Sequence, residues 1–288
     1  MTKRSFFFSL IAFPLFFLSP YALAHPVSEL VSNLENRYGG KIGVAILDTS
    51  DQSLWHYQGN SRFPLMSTFK TLACAKLLAD VDQKKQKLTT ESLIERESLV
   101  TYSPVTEPQA GQTITLDQAC EATMSTSDNT AANLVLAGIG GPKQLTDFLR
   151  STGDNTTRLD RIEPELNEAQ PGDNRDTTTT LAITNTLNQL IFGNTLSDVS
   201  RTQLKTWMMG NQVADNLLRS VLPEGWSIAD RSGAGGHGSR GITAIVWSNK
   251  RQPLIISIYM TGTNASFEER NQVIVKTGQA VFHHFGIQ

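Results

Sequence analysis

The chain has 288 residues, of which 25 are Lys or Arg and 27 are Asp or Glu, so its formal charge is −2. This near-balanced charge gives no electrostatic reason to expect binding to nucleic acid or to an anionic membrane surface. The length is sufficient for one large domain or two interlocked ones, and the composition, 39% hydrophobic and 18% charged, is ordinary for a globular enzyme.

The first 24 residues have the features of a secretory signal peptide. Lys3 and Arg4 precede an apolar run over residues 6–18, and small residues lead up to Ala24. The run is too short to span a membrane, and Pro14 also argues against the alternative of an uncleaved membrane anchor. We therefore predict export to the periplasm with cleavage after Ala24. Cleavage removes two basic residues and leaves 23 against 27 acidic ones, a formal charge of −4.

The chain contains two cysteines, Cys74 and Cys120. In an exported protein a disulfide between them is the default expectation, and closing a loop of this length stabilises a fold by about 4 kcal/mol. The five histidines show no metal-binding spacing such as His-Glu-x-x-His. We therefore expect neither a metal nor another cofactor.

The N-terminal part of the mature chain predicts a helix followed by a hairpin. Apolar residues at helical spacing from Val27 to Leu34 predict the helix, which ends at the glycine pair following Tyr38. Two runs with strand character follow, over residues 41–48 and 54–57, and a polar turn separates them.

Strand signals nearly vanish between about residues 63 and 210, where helical patterns dominate. Helices are predicted over residues 68–83, 117–124, 129–137, 142–151, 180–192 and 198–208. The segment over residues 158–177 does not fit this pattern, because it is rich in acids, proline and glycine. A loop this long inside a compact domain is usually functional, and we refer to it as the Ω-loop.

After residue 210 the strand signals return. Strands are predicted over residues 226–233, 241–247 and 254–260, with a polar turn over residues 248–252 between the last two. An amphipathic helix over residues 266–285 completes the chain.

This order of elements predicts an α/β (α+β) fold, with one five-stranded antiparallel sheet flanked by helices. A helical region is inserted between the second and third strands. The expected domains are a discontinuous α/β domain of residues 25–60 and 211–288, and an all-helical domain of residues 61–210 that contains the Ω-loop.

The segment from Ser67 to Lys70 lies at the start of a predicted helix. Residues three apart share one face of a helix, so the Lys70 amine is expected beside the Ser67 hydroxyl. Unpaired N–H groups at a helix start stabilise negative charge, and a hydroxyl next to an amine is a form of activated nucleophile. Taken alone, Ser-x-x-Lys is more typical of an ordinary solvated helix start.

Two further motifs lie in the helical region. The triplet Ser127, Asp128 and Asn129 lies between two predicted helices, and such a triplet is rare by chance in a chain of this size. In the Ω-loop, Glu163 supplies a carboxylate and Asn167 an amide four residues later.

Arg231, Ser232 and Gly233 end a predicted strand. A cation and a hydroxyl can hold a carboxylate, and a glycine lets a ligand approach the backbone. This fourth motif therefore suggests a binding site for a carboxylate.

Together these motifs resemble the class A serine β-lactamases, whose signature is Ser-x-x-Lys, Ser-Asp-Asn and Lys-Thr-Gly. The order and spacing match over essentially all of residues 25–288, with further matches at Tyr102, from Arg161 to Asp176 and over residues 238–241. The resemblance implies a β-lactamase/transpeptidase-like fold and a monomer without a cofactor. It also implies a small-molecule β-lactam substrate and a role in β-lactam resistance.

The resemblance assigns the acylation step to the helical motifs. Ser67 is expected to attack the lactam carbonyl, with the N–H groups of Ser67 and Ala234 as oxyanion hole. Lys70 and Glu163 are both candidates for the base that activates Ser67, and the sequence leaves this choice open. Ser127 resembles the proton relay to the lactam nitrogen.

Deacylation is assigned to the Ω-loop. Glu163, together with Asn167, is expected to activate the water that hydrolyses the acyl-enzyme. The family also implies a cis peptide bond before Pro164, and an ion pair between Arg161 and Asp176 that closes the neck of the loop.

Substrate binding is assigned to both sides of the expected cleft. Tyr102 is expected to form a wall of the entrance, and Asn129 to hold the side-chain amide of the substrate. Ser232, together with Arg231 and Arg240, resembles the recognition site for the substrate carboxylate.

The sequence departs from the family pattern at Arg231, where most members have lysine. Arginine stays charged and offers a planar fork to a carboxylate, but it is a poor proton carrier. In having arginine at this position, the chain resembles the carbenicillin-hydrolysing subgroup, whose members accept penicillins with a carboxylated side chain. Gly236 and His237, near the strand edge, are further candidates for specificity.

Three alternative functions share part of this pattern. A penicillin-binding DD-peptidase has the same fold and the first motifs, but lacks the loop carboxylate that Glu163 supplies. A β-lactam sensor domain stays acylated and is normally tethered to a membrane, which the cleavable leader disfavours. A general serine esterase needs a histidine partner, and the chain has no Gly-x-Ser-x-Gly.

Overall fold

The computed structural model describes residues 26–288. The predicted signal peptide, its cleavage site after Ala24 and His25 lie outside the described residues. The strands are β1 (Lys41–Asp48), β2 (Leu54–Tyr57), β3 (Arg62–Pro64), β4 (Glu91–Leu93), β5 (Thr113–Thr115), β6 (Thr177–Thr179), β7 (Trp226–Ala234), β8 (Arg240–Ser248) and β9 (Arg251–Thr261). The α-helices are α1 (Pro26–Tyr38), α2 (Phe69–Asp82), α3 (Leu116–Ser125), α4 (Asn129–Gly138), α5 (Pro142–Ser151), α6 (Thr180–Ile191), α7 (Asp198–Met209) and α8 (Phe267–His284).

One five-stranded antiparallel sheet, in the order β2-β1-β9-β8-β7, organises the fold. β1, β9 and β8 are buried along most of their length, because helices cover both faces of the sheet. α1 and α8 pack on one face, and α6 and α7 lie against the other. The predicted α/β (α+β) fold is confirmed, while the division into two domains stays a prediction. No helix among residues 26–288 combines the length and apolar character that a membrane crossing needs.

Several helices begin at a side chain that caps the first turn. Thr115 and Ser266 each form a capping box with the residue three positions later, and the side chains of Thr179 and Ser197 accept a single backbone N–H. Asp128 caps α4 in the same way. The predicted helix bounds, from α2 onward, agree with the observed ones to within one residue, and these caps explain the agreement at the starts of α3, α4, α6, α7 and α8.

The structure differs from the prediction in its short strands. β3 pairs with β6 and β4 with β5, in a region where the sequence shows almost no strand signal. Each of these strands has three residues, too few to produce a periodic pattern. The predicted turn over residues 248–252 is also too long, because Ser248 pairs directly with Arg251. Arg251 belongs to β9, where its Nη2 atom donates to Asp48 Oδ2 at 2.6 Å.

A disulfide joins Cys74 in α2 to Cys120 in α3, as expected. Both residues are fully buried in the apolar core between the helices. The bond therefore connects the helix that follows Ser67 to the helix that leads towards Ser127.

Replacing both cysteines with serine is expected to lower the free energy of unfolding by up to about 4 kcal/mol, because the unfolded chain loses a cross-link. Urea unfolding of the variant and of the unmodified chain measures the difference. The unmodified chain after chemical reduction is the matched control and should lose a similar amount. Equal stability of all three forms would show that the cross-link contributes nothing.

Candidate active site

Ser67 lies in a single 3-10 turn, Met66–Thr68, that leads directly into α2. α2 is buried on most of its surface, as expected of an apolar helix that crosses the core. Met66 has a φ of 50°, in the left-handed region that side chains other than glycine rarely adopt. The candidate nucleophile therefore lies on a strained turn supported by a buried helix.

Gly233 in the edge strand β7 lies against this turn. A Cβ atom at this position would come within 2.7 Å of the Ser67 backbone nitrogen. Glycine is therefore required for the strand to run this close to the Ser67 N–H group.

Lys70 is fully buried in α2, and its hydrogen bonds link it to the segment between α3 and α4. The Nζ atom donates to Ser127 O at 2.8 Å, to Ser127 Oγ at 3.1 Å and to Asn129 Oδ1 at 2.6 Å. The Ser127 hydroxyl donates in turn to Ser67 Oγ at 3.2 Å. The amine is thus linked to the candidate nucleophile through the Ser127 hydroxyl.

Burial lowers the pKa of Lys70 to about 8, because the protein interior solvates an ammonium group less well than water does. The Glu163 carboxylate opposes this shift, and the charge of Arg231 adds to it. With a pKa of about 8, a minor but significant fraction of Lys70 is a neutral amine at neutral pH.

Glu163 projects from the Ω-loop into the same buried space. Its Oε1 atom lies 3.3 Å from Lys70 Nζ, and both side chains are fully buried. Asn167 Nδ2 donates to the other carboxylate oxygen, Oε2. Glu163 Oε1 and Asn167 Oδ1 accept no hydrogen bond from the described residues, so each can accept one from a further donor. The peptide bond between Glu163 and Pro164 is cis.

The Ω-loop is held at its neck and at its tip. Arg161 Nε donates to Asp176 Oδ2 at 2.6 Å, and Asp176 Oδ1 accepts the N–H groups of Asp160 and Arg161 at 2.7 and 2.9 Å. Gly236 N, in the loop between β7 and β8, donates to Asn167 O at 2.8 Å. These bonds fix the segment that carries Glu163 relative to the sheet.

Asp128, the middle residue of Ser-Asp-Asn, organises the entrance of the site. Its buried carboxylate accepts the N–H groups of Val105, Thr106 and Ala131, each within 2.9 Å. It thereby ties the start of α4 to the loop that carries Tyr102. Tyr102 is more than half exposed and has a φ of 64°, another strained position at the site.

These residues surround a cleft of about 360 Å³. It is lined by Ser67, Tyr102, Ser127, Asn129, Asn167, Val213, Arg231, Ser232, Gly233, Ala234, Arg240 and Phe267. Lys70 and Glu163 lie buried behind this surface.

Two buried arginines make one end of the cleft positive. Arg231 Nη1 donates to Met124 O at 3.0 Å and to Asn211 Oδ1 at 3.3 Å, while its Nε atom has no partner among the described residues. Arg240 donates from Nε to Asn271 Oδ1 at 2.8 Å and from Nη1 to Gly233 O at 2.9 Å. Burial lowers the pKa of each guanidinium to about 10, which leaves both cationic at neutral pH.

Comparison with known proteins identifies the family of this site. The Beta-lactamase enzyme family matches residues 26–285. The β-lactamases PSE-4 and CARB-3 of Pseudomonas aeruginosa are each 58% identical over 256 residues, which cover 89% of this chain and 89% of each relative. The crystal structure of the chromosome-encoded β-lactamase of Vibrio parahaemolyticus superposes with a TM-score of 0.89 and 53% identity, covering 91% of this chain and 100% of that one. The chain belongs to the class A β-lactamase family. It is an enzyme that hydrolyses β-lactams, an activity that confers β-lactam resistance.

The structure of this β-lactamase includes functional residues that the sequence analysis missed. Asn133 in α4 donates from Nδ2 to Glu163 O at 2.9 Å and accepts Glu163 N at Oδ1, also at 2.9 Å. The side-chain amide thus fixes the backbone of Glu163 from both sides. A lone asparagine within an apolar helix gives no such signal, because its partner lies 30 residues away.

Replacing Asn133 with leucine is expected to slow deacylation by about ten- to a hundredfold, because two backbone groups of Glu163 lose their partner. Acylation of Ser67 should change less, because Asn133 acts through Glu163. Stopped-flow acylation and the lifetime of the acyl-enzyme by mass spectrometry separate the two steps. Asn155→Leu, at an exposed position, is the matched control. Equal slowing of both steps would exclude a positioning role specific to Glu163.

Phe267 at the start of α8 is a second missed residue of the cleft. Its ring is half exposed, and the guanidinium carbons of Arg240 and Arg270 lie 5.1 and 5.4 Å from its centroid. The ring therefore contacts the Arg240 guanidinium in a cation–π arrangement. The sequence around Phe267 contains no recognisable motif. The other residues that line the cleft all lie at Arg240 or earlier in the chain, so the role of Phe267 becomes visible only in the folded structure.

Gly236 and His237 do not line the cleft. A Cβ atom at Gly236 would lie 2.3 Å from Glu168 O, so this glycine allows close contact with the Ω-loop. His237 lines a separate cavity behind that loop. Within residues 26–288, no group of three or more His, Cys, Asp or Glu side chains could hold a metal ion.

Proposed function

We propose that this β-lactamase hydrolyses penicillins, including carboxypenicillins such as carbenicillin, through an acyl-enzyme on Ser67. One observation carries the proposal: a hydrogen-bonded chain runs from Ser67 through Ser127 to Lys70, and Glu163 Oε1 lies 3.3 Å from the Lys70 amine. Nucleophile, proton relay and two titratable groups are thus adjacent in one buried network.

In acylation, Ser67 Oγ bonds to the lactam carbonyl carbon, and its proton passes through Ser127 to the neutral amine of Lys70. The resulting oxyanion is stabilised by the N–H groups of Ser67 and Ala234. The carbon–nitrogen bond then breaks, and the lactam nitrogen takes a proton from the Ser127 hydroxyl, which regains one from the Lys70 ammonium at 3.1 Å, so that Lys70 returns to the neutral amine. Lys70 is the base in this proposal because the hydrogen-bonded chain ends on its amine and its pKa is about 8.

In deacylation, a water molecule that donates hydrogen bonds to Glu163 Oε1 and Asn167 Oδ1 attacks the ester carbonyl. Glu163 takes a proton of this water, the bond from the carbonyl carbon to Ser67 Oγ breaks, and the proton held by Glu163 returns to Ser67 Oγ, which regenerates both groups. The two unsatisfied acceptors support this role, because each can accept one hydrogen of the water. A DD-peptidase or a β-lactam sensor would remain acylated at this step.

In substrate binding, Ser232 and Arg240 hold the carboxylate on the fused ring, and buried Arg231 adds positive charge behind them. Asn129 holds the side-chain amide of the substrate, and Tyr102 forms the outer wall. The family resemblance at Arg231 and the similarity to CARB-3 support the inclusion of carboxypenicillins.

The mature chain is expected to hydrolyse benzylpenicillin in the presence of EDTA. Its kcat/KM for carbenicillin should lie within about tenfold of that for benzylpenicillin, a difference of about 1.4 kcal/mol in transition-state stabilisation. Hydrolysis is followed by the absorbance of the β-lactam bond. A larger deficit for carbenicillin would reject the subgroup, and no turnover of either substrate would reject the proposed reaction.

The remaining proposals concern location and assembly. We propose that the enzyme acts in the periplasm as a monomer, after cleavage behind Ala24, and that its two predicted domains share the cleft. N-terminal sequencing of the periplasmic fraction and light scattering of the purified enzyme test these proposals. An intact leader or a dimeric mass would contradict them.

A further inference from the structure

A second cavity lies behind the Ω-loop, away from Ser67, and we call it the rear cavity. Its volume is about 380 Å³, within the range of about 300–1,000 Å³ that is typical of small-molecule sites. The Ω-loop forms one wall, and the start of β1, strand β3 and the end of β9 form the opposite one. None of the residues of the proposed chemistry lines it.

The two walls of the rear cavity differ in whether their basic side chains form ion pairs with acids. On the Ω-loop side, Arg161 and Arg175 pair with acids of the same loop, among them Asp173 and Asp176. On the opposite side, Lys41 and Arg62 form no ion pair with a carboxylate of residues 26–288. The cavity therefore has two cations on one wall that no acid of the described chain neutralises.

The contacts of these two cations leave them capacity for an anion. Lys41 Nζ lies over the ring of Phe63, 5.1 Å from its centroid. Arg62 uses Nη1 for Thr156 O and Thr177 Oγ1, at 3.1 and 2.9 Å. Both side chains are half-buried, and burial lowers the pKa of Lys41. A partly desolvated cation without a counter-charge is stabilised when a carboxylate binds beside it.

The rest of the wall favours an apolar body. Most of the exposed surface of the cavity is apolar, and Pro64, Leu166 and Pro171 contribute to it. A ligand that buries an aromatic or aliphatic group there and places one carboxylate at Lys41 and Arg62 satisfies both parts of the cavity.

We propose that the rear cavity is a binding site for an amphipathic carboxylate, a monoanion with an aromatic or aliphatic body. Lys41 and Arg62 bind the carboxylate, and the apolar wall takes the body. The site is separate from the cleft at Ser67, so it does not depend on the proposed hydrolysis.

Naphthalene-2-carboxylate is a suitable probe, and titration calorimetry with the mature chain measures its binding. We expect one bound probe per chain, with a Kd on the order of 0.1–1 mM for a ligand of this size. Amide chemical shifts of Gly40, Ala169 and Gly262 should change on binding, because these residues line the cavity. Lys41→Met should weaken binding about tenfold or more, and Lys276→Met, at an exposed position on α8, should leave it unchanged.

Two controls separate this site from the carboxylate-binding end of the cleft. Naphthalene-2-carboxamide, which has the same body without the charge, should bind at least about tenfold more weakly. The carboxylate should not act as a competitive inhibitor of benzylpenicillin hydrolysis at concentrations that saturate the calorimetric site. Equal affinity of acid and amide, insensitivity to Lys41→Met, competition with benzylpenicillin, or no binding would each overturn the proposal.

Discussion

Replacing Glu163 with alanine is expected to leave Ser67 as a long-lived acyl-enzyme after reaction with benzylpenicillin. Glu163 is the buried carboxylate that Asn167 and Asn133 hold in place, and its Oε1 atom is free to accept the hydrogen of a water. General-base assistance is worth about 10²–10⁴-fold, or about 3–5.5 kcal/mol of activation free energy. We expect the steady-state kcat to fall by this factor, and the adduct mass to persist on the intact protein.

The matched control is Glu165→Ala, because Glu165 is an exposed acid on the same loop. This variant removes the same charge from the Ω-loop without touching the buried network, so its kcat should stay close to that of the unmodified enzyme. Deacylation of Glu163→Ala at the unmodified rate would show that another group activates the water. Failure to acylate at all would show that Glu163 is required before the ester forms.

The candidate site residues that the structure brings together could be predicted from sequence because they cluster in short motifs. Ser67 and Lys70 are three residues apart, and Ser127 and Asn129 lie within one triplet. Local spacing did not reveal the connection between them. The spacing predicts that Lys70 lies on the same helix face as Ser67, but it does not predict the Ser127 hydroxyl that links the two side chains by hydrogen bonds.

The supporting residues could not be predicted, because each acts across a long sequence separation. Asn133 holds Glu163 from a different helix, and Phe267 supports Arg240 from the C-terminal helix. Asp128 was visible as part of a motif, yet its role as an anchor for the Tyr102 loop depends on contacts with Val105 and Thr106. Burial and hydrogen-bond partners of this kind are properties of the folded chain.

The fold was easier to predict than the residues that position the site, because an amphipathic helix shows a periodic pattern of apolar residues in its own sequence. α5 begins at Pro142, as predicted, and the central strands are long enough to appear as apolar runs. The three-residue strands β3 and β6 have no such signal, although they connect the chain before Ser67 to the end of the Ω-loop. Pairing between distant short segments is decided by tertiary packing.

Replacing Lys70 with methionine is expected to slow acylation of Ser67 by about 10²–10⁴-fold, because the chain through Ser127 then ends on a group that cannot accept a proton. Methionine has a similar length and suits the buried position, so the helix should remain intact. Stopped-flow mixing with a chromogenic β-lactam measures the acylation rate. Lys143→Met, at a side chain that is 81% exposed on α5, is the control and should acylate normally.

The pH dependence of acylation tests the protonation state of Lys70 independently of any loss of structure. Since the neutral amine is the reactive form in the proposed mechanism, the rate should rise about tenfold per pH unit below about 8 and level off above it. The Glu163 carboxylate raises the pKa of Lys70, so Glu163→Ala should move this inflection to lower pH. That variant also isolates acylation, because its adduct does not turn over. An acylation rate of the unmodified enzyme that is flat from pH about 6 to 9 would mean that Lys70 does not titrate in this step, and Glu163 would then be the remaining candidate for the base.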